Sequence, residues 1–395
     1  MTTWHGEFKF TFEGSIMSKR FAAFFLALAL FLVTYAVNLS APLYDVYAQH
    51  SGVGAIAVTT AFAAYVGGLM PTLMLLGGLS DRIGRRIPIA FALALGGVAT
   101  LLLGLRPNMA TLIVARLLLG IGTGLATTSG TAYMIDILGR KRQRTAALIV
   151  TSATSLGFGG GALATGISLV IQGPTVLPLS YIILIASVPI MVCAVWALPR
   201  AETRVAVSLL RWPIFPAGTW MFGLAMALAW STSGMIIAIV PLELAKNNLG
   251  GWTGLVVFLS IFIGFLCQPI ARRMTNSRAL VLGFCLVPFG FFVLLIGVWL
   301  QALVLVLIGT SITSAASYGF TYLAALSEMT RRVPDDHARA TAGVFVYAYL
   351  GFSVPVMMAG ALADILGLVP AMIAFEVALC AGTLGVAMRW RYLEI

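Results

Sequence analysis

The chain has 395 residues, of which 60% are hydrophobic and 9% charged, and its mean hydropathy is +1.01. Soluble domains carry roughly a quarter charged residues, so this composition excludes a water-soluble globular protein and requires lipid as solvent. The formal net charge of +11 does not mark a nucleic-acid binder, because the basic residues sit in small clusters at the ends of apolar runs, which is the pattern of membrane topology.

Lipid offers backbone groups no partner, so each spanning segment must be a helix of roughly 20 residues. Twelve such runs follow along the chain. The first six cover about Phe21–Leu43, Ile56–Leu76, Ile87–Leu105, Ala110–Ile137, Ala146–Ile171 and Leu179–Leu198. The second six cover about Phe215–Pro241, Gly254–Ile270, Ala279–Trp299, Ala302–Leu326, Ala342–Leu366 and Val369–Met388. The reading is an all-α membrane protein of twelve transmembrane helices in two six-helix bundles, 21–198 and 213–388. An N-terminal segment 1–20, a linker 199–212 with three arginines and a tail 389–395 complete the chain.

All lysines and arginines except Arg106, Arg116 and Lys246 fall on one side of this arrangement. The positive-inside rule makes that side cytoplasmic, with both termini there, and an inner (plasma) membrane of a bacterium is the expected location. Met17-Ser18-Lys19-Arg20 reads as a second start, and residues 1–16, mixed polar and aromatic, are expected to be disordered. The first apolar run exceeds the about 7–15 residues of a signal-peptide core, and cleaving it would leave eleven spans.

The halves carry a parallel repeat. Arg144 recurs as Arg339, Gly157 as Gly351 and Gly166 as Gly360, at offsets of 195, 194 and 194. Such repeats about an axis along the membrane normal are a transporter architecture.

Charge is concentrated at one polar break, Gly77-Gly78-Leu79-Ser80-Asp81-Arg82-Ile83-Gly84-Arg85-Arg86. Gly84 allows a tight turn, and Asp81 is suited to a helix N-terminus or a cation. This break resembles the signature of the major facilitator superfamily between its second and third helices, G-x-x-x-D-R-x-G-R-R. Arg116-Leu-Leu-Leu-Gly120-Ile-Gly122-Thr-Gly124 resembles that superfamily's fourth-helix motif. The resemblance implies that Asp81 meets the start of the eleventh helix near Ala342–Gly343. It also implies that Arg82 or Arg85 meets Asp136, latching the halves on the cytoplasmic side.

Few polar groups lie inside the runs. Arg116 sits roughly 10 Å below the outer end of helix four, where a cation requires a partner or a wet cavity. Asp45 is one candidate partner. Glu376 lies mid-membrane in helix twelve. Either carboxyl is a candidate proton carrier, against the plainer readings of a solvated loop start and a hydrogen-bonded acid. Asn38, Trp230, Tyr318 and Tyr347 are candidate cavity residues for an apolar or aromatic substrate. Gly157 and Gly161, in a glycine-rich stretch of helix five, suit close helix packing. That stretch resembles the antiporter signature of drug exporters but lacks its proline.

Cys193, Cys267, Cys285 and Cys380 fall inside apolar runs and are expected to pack as small apolar groups. No metal-ligand spacing or nucleotide loop occurs, so no metal or cofactor is expected. The resemblance implies a non-enzymatic secondary transporter working by alternating access, as a monomer, with a small molecule and protons as partners. Proton-coupled export of a small amphipathic compound is the first expectation and proton-coupled uptake of a metabolite the second. A polytopic enzyme or sensor would need a constellation that is not seen.

Overall fold

The computed structural model describes residues 18–200, 208–210, 212–333 and 336–391. The expected disorder of 1–16 and the linker arginines Arg204 and Arg211 lie outside the described residues. Among the described residues, twelve helical segments are long and apolar enough to cross a membrane. We number them α1 (Lys19–Ser51), α2 (Ala55–Leu75), α3 (Arg86–Leu105), α4 (Met109–Leu138), α5 (Arg140–Gln172) and α6 (Leu179–Ala197). The second set is α7 (Trp220–Lys246), α8 (Gly250–Ala271), α9 (Asn276–Trp299), α10 (Leu303–Arg331), α11 (Arg339–Leu366) and α12 (Leu368–Arg389). Successive helices run in opposite senses. One face therefore carries the turn 77–86, the linker and most of the charge, and is called the basic face below; the other is the distal face.

Local chemistry sets the helix ends. Ser18 caps α1 and Asn108 caps α4, each side-chain oxygen accepting from a first-turn amide, Phe21 N at 3.4 Å and Thr111 N at 2.9 Å. α1 extends beyond Leu43, where the apolar run was read to end. Its first stretch stops at Asn38, a short 3-10 turn with Pro42 in its opening positions follows, and helix resumes over Tyr44–Ser51. Proline has no amide to continue the hydrogen-bond ladder but fits a first turn, so the chain bends and goes on. Within α10 a π-helical turn covers Ala315–Thr321.

The helices group into two lobes. In the first, α1 packs on α4 and α5, α2 on α4, and α3 on α4 and α6; in the second, α7 packs on α11, α8 on α10, and α9 on α10 and α12. Two seams join the lobes, α5 against α8 and α2 against α11. The repeated glycines fall at matching places. Gly157 faces α1 at Thr34 and Gly351 faces α7 at Ala227, each within its own lobe. Gly166 faces α8 at Gly254 and Gly360 faces α2 at Thr59, each across a seam.

Lipid provides no hydrophobic drive between helices, so close packing through small residues must hold them. A methyl on Gly120 would meet the Tyr65 carbonyl of α2, one on Gly161 the Tyr35 carbonyl of α1, and one on Gly124 the Thr72 side chain at 2.8 Å. Gly122 similarly admits α3, at 3.2 Å from the Ala92 carbonyl. Large apolar side chains such as Val170, Ile190 and Ile365 point outward, as a lipid-facing belt does. Cys193, Cys285 and Cys380 lie on exposed helix faces, not in the packed interior as the sequence suggested; in lipid an outward thiol loses nothing.

This packing predicts that Gly120→Ala lowers the melting temperature of the purified protein by several degrees, about 1–3 kcal/mol of overpacking. Gly67→Ala, whose methyl meets nothing within 4 Å, leaves it unchanged or raised. Equal melting temperatures for the two variants would contradict the close α2–α4 approach.

Candidate functional site

A cavity of about 400 Å³ lies between the lobes. Its lining begins in the distal half, at Asn38 and Arg116. It reaches the basic ends of α8 and α11 at Gln268 and Thr341. The two walls differ in kind. The first lobe presents hydroxyls at helical spacing, Thr127 and Thr131 on α4 and Thr151 and Ser155 on α5. None of these four makes a side-chain hydrogen bond among the described residues. The second lobe presents rings. Trp230 lies 5.1 Å from Tyr318, 5.4 Å from Tyr349 and 6.1 Å from both Tyr322 and Phe352, measured between centroids. The π-helical turn of α10 carries Tyr318 and delivers it beside Trp230, with Ser317 donating to the Ala229 carbonyl at 2.8 Å.

Trp230, Tyr318 and Asn38 line the cavity, and Asn38 donates to the Phe158 carbonyl at 2.9 Å. Tyr347 does not line it. Its ring stands edge-on to Phe215 at 5.6 Å and covers Gly223 of α7. Phe345, Tyr349 and Phe352 occupy the cavity face of α11 instead. Their spacing of four and then three residues marks one helical face, a signal present in the sequence that excludes position 347.

Arg116 is 1% exposed, and the structure does not pair it with Asp45. Its Nη1 donates to the Val37 carbonyl at 2.8 Å and its Nη2 to the Phe62 carbonyl at 3.3 Å. Its guanidinium carbon lies 5.1 Å from the centre of the Phe62 ring and 5.0 Å from that of Tyr65. The physical reason is the break in α1. The helix stops at Asn38, so Val37 is among the last carbonyls, which carry the negative end of the helix dipole and lack an intrahelical donor. The cation caps that end, and cation–π contact supplies the rest. Asp45 lies on the extension of α1, accepts from Gln49 Nε2 at 2.6 Å and has Lys246 of the other lobe as its electrostatic neighbour. Glu376 is buried in α12 beside Cys380, whose thiol donates to Oε1 at 3.4 Å. It does not line the cavity.

The Gly77–Arg86 turn is a compact charged knot on the basic face. Leu79–Ile83 form a single short helix that ends at Gly84. Gly84 has φ +90°, a conformation that side-chain-bearing residues rarely adopt. Arg85 sits between two carboxylates, with Nη1 2.7 Å from Asp81 and Nε 3.1 Å from Asp136 of α4, and Nη1 also donates to Ser80 Oγ at 2.7 Å. Arg82 is exposed, and Arg86 neighbours Tyr133, whose hydroxyl donates to the Pro199 carbonyl at the start of the linker at 2.6 Å. The Gly77–Gly78 turn receives the far end of that linker. Gly78 N donates to the Leu209 carbonyl at 3.2 Å, and a side chain at Gly78 would strike the Ser208 carbonyl. At the start of α11, Gly343 faces the Ile214 carbonyl, and Arg339 Nε donates to the Trp212 carbonyl at 2.9 Å. In this conformation the second lobe's own entry segment covers the site expected for Asp81.

The distal face holds a contact that the sequence reading missed. α2 begins at Gly54, which has no side chain to cap it. Asp364, near the end of α11 in the other lobe, supplies the cap. Its Oδ1 accepts from Ala55 N at 2.6 Å and its Oδ2 from Ile56 N at 3.1 Å. Any side chain at Gly54 would collide with that carboxylate. Phe62 of α2 and Phe352 of α11 meet below it, with ring centroids 4.7 Å apart.

The Arg85 knot makes a prediction. Arg85→Leu removes the cation between Asp81 and Asp136 and costs about 1–2 kcal/mol of stability for these partly exposed groups. Adding Asp81→Asn and Asp136→Asn to that variant recovers part of the loss. Thermal unfolding of the purified variants reads both effects, and no recovery would contradict repulsion between the two carboxylates.

Comparison with known proteins agrees with this geometry. Residues 26–354 match the family model described as Major Facilitator Superfamily. Over 90 residues the chain is 39% identical to the methylenomycin A resistance protein of Streptomyces coelicolor, covering 22% of this chain and 19% of that one. Over 102 residues it is 36% identical to the uncharacterized MFS-type transporter EfpA of Mycobacterium tuberculosis, covering 25% and 18%. Over 79 residues it is 37% identical to a probable vesicular acetylcholine transporter-A of Danio rerio, covering 20% and 15%. The matched segments thus span less than a fifth of each relative. Among solved structures, the nucleoside transporter NupG superposes with TM-score 0.75 at 11% identity, over 94% of this chain and 99% of that one. A bacterial homolog to the human lysosomal transporter Spinster, inward-facing and occupied, superposes with TM-score 0.73 at 14% identity, over 96% and 98%. With the twelve helices and both motifs in place, this chain belongs to the Major Facilitator Superfamily.

Proposed function

We propose that the chain is a secondary carrier working by alternating access, which exports a small amphipathic compound in exchange for protons, as a monomer. The basic face is the cytoplasmic one in this reading, and the chain sits in a bacterial inner membrane with both termini inside. The observation that carries it is the asymmetry of the lobe interface. The distal seam is fastened at Asp364, while the cavity runs down to Gln268 and Thr341 on the basic face. A path that can be reached from one side only is what alternating access requires. The name of the Streptomyces relative, a resistance protein, favours export over uptake.

In the opposite conformation the basic face closes. Asp81 then serves as the hook on the start of α11, with Arg82, Arg85, Arg86 and Asp136 holding the turn in shape. Gly77 and Gly84 let that turn stay tight. Asp45 and Glu376 are the proposed proton carriers. Neither lines the cavity, so coupling through them acts by moving helices and not by competing for the substrate position. Arg116 sets the geometry of α1 and α2 at the end of the transport path.

The test is transport in inverted vesicles with an imposed pH gradient, screened across compound classes. Solute accumulation driven by inside-acid conditions is expected, and accumulation that ignores the gradient would overturn proton exchange. Asp81→Asn is expected to insert at the wild-type level and transport at least about tenfold more slowly, a loss of roughly 1.4 kcal/mol in closing the basic face. Wild-type transport at equal surface level would remove the hook. An unchanged pH profile in both Asp45→Asn and Glu376→Gln would remove these two carboxyls from coupling.

A further inference from the structure

We infer that the cavity takes a planar aromatic compound with an oxygen-bearing edge, neutral or singly anionic, and rejects permanent cations. This rests on the carrier reading above and deepens it. The first ground is charge. Among the described residues, Arg116 is the single formally charged residue lining the cavity, and no aspartate or glutamate lines it. A cation entering would leave water without a counter-ion and would feel the field of Arg116 in a low-dielectric space. One of the rings lining the cavity is already in use, since the Arg116 guanidinium stacks on Tyr65.

The second ground is the division of the walls. Trp230 sits at the centre of an aromatic cluster with Tyr318, Tyr322, Tyr349 and Phe352. Such a cluster gives area and face-to-edge contact to a flat ring. Opposite it, the unbonded hydroxyls of Thr127, Thr131, Thr151 and Ser155 offer donors and acceptors to a polar edge. The third ground is a pair of unused donors. Trp230 is 7% exposed, and its Nε1 is buried with no hydrogen-bond partner. Arg116 Nε is in the same position. Buried donors left unmet are costly, both belong to residues lining the cavity, and an acceptor oxygen that reached either would relieve that cost. Carbonyl, phenolate and carboxylate groups supply one, and a quaternary nitrogen does not. A cavity of about 400 Å³ is of the size that holds small organic ligands.

The experiment measures binding of three two-ring probes of matched size to the purified full chain in nanodiscs, by isothermal titration. The probes are 2-naphthoate, 2-naphthol and N-methylquinolinium. The first two are expected to bind and the third at least about tenfold more weakly. Trp230→Phe keeps a ring but loses the N–H, and is expected to weaken naphthoate and naphthol about three- to tenfold. Thr127 is exposed to the cavity, so Thr127→Asp is tolerated by the fold and is expected to reverse the order in favour of N-methylquinolinium. Equal or tighter binding of the cation to the unmodified protein overturns the inference, as does binding of none of the three. Naphthoate that binds but is never moved in proteoliposomes leaves this inference standing and removes the carrier reading. Gradient-driven movement of another solute without binding of these probes does the reverse.

Discussion

The free amides at the start of α2 have to be satisfied, and in this protein the other lobe satisfies them. A helix that opens on glycine has no cap of its own. The Asp364 carboxylate of α11 takes the first two amides of α2, where the positive end of the helix dipole also favours it. Asp364 is exposed, so the contact contributes only about 1 kcal/mol. That is little against the stability of a fold but a large share of an equilibrium between two lobe arrangements, where it shifts a population about fivefold. Gly360 against Thr59, and Gly166 against Gly254, are contacts of small residues. Among the described residues, the lobes are thus held by shape, by the Phe62–Phe352 ring contact and by the charge-assisted cap at Asp364.

Everything between the seams follows from the same division into lobes. Each lobe packs six helices through glycine contacts, and each brings one kind of surface to the shared space. The hydroxyls come from α4 and α5 and the rings from α7, α10 and α11. Arg116 belongs to the first lobe alone. It ties α4 to α1 and α2 through carbonyls at 2.8 and 3.3 Å, so its charge is fixed to that lobe. On the basic face the charged knot of Asp81, Arg85 and Asp136 is likewise internal to the first lobe. It is therefore assembled from residues of that lobe.

Much of this was legible from residues alone. Apolar run length gave the helices, because lipid permits little else. The charged turn and the fourth-helix glycines gave the family, and Arg85 does meet Asp136. What escaped depended on which way a helix face points or on which ends meet across the lobes. Tyr347 and Tyr349 are alike in type and depth, and only the rotation of α11 separates packing residue from cavity residue. Asp364 escaped because its partners are backbone amides about 310 residues away, which carry no residue signature. The Asp45–Arg116 pairing failed for a similar reason. The break before Pro42 released the Val37 carbonyl, which no side-chain count reveals and which takes one guanidinium N–H, while the Phe62 carbonyl of α2 takes another.

The central claim is that the distal cap biases the two lobes toward the arrangement described here. Spin labels at Val53→Cys and Ile365→Cys report the distal seam, and labels at Ile83→Cys and Arg331→Cys report the basic face, with Cys193, Cys267, Cys285 and Cys380 replaced. Pulsed electron–electron distance measurement then compares the parent with its Asp364→Asn variant. The account predicts that the variant gains a longer distal distance together with a shorter basic-face distance, the two populations changing in step. A distal distribution that does not change, or two distances that lengthen together, would contradict it.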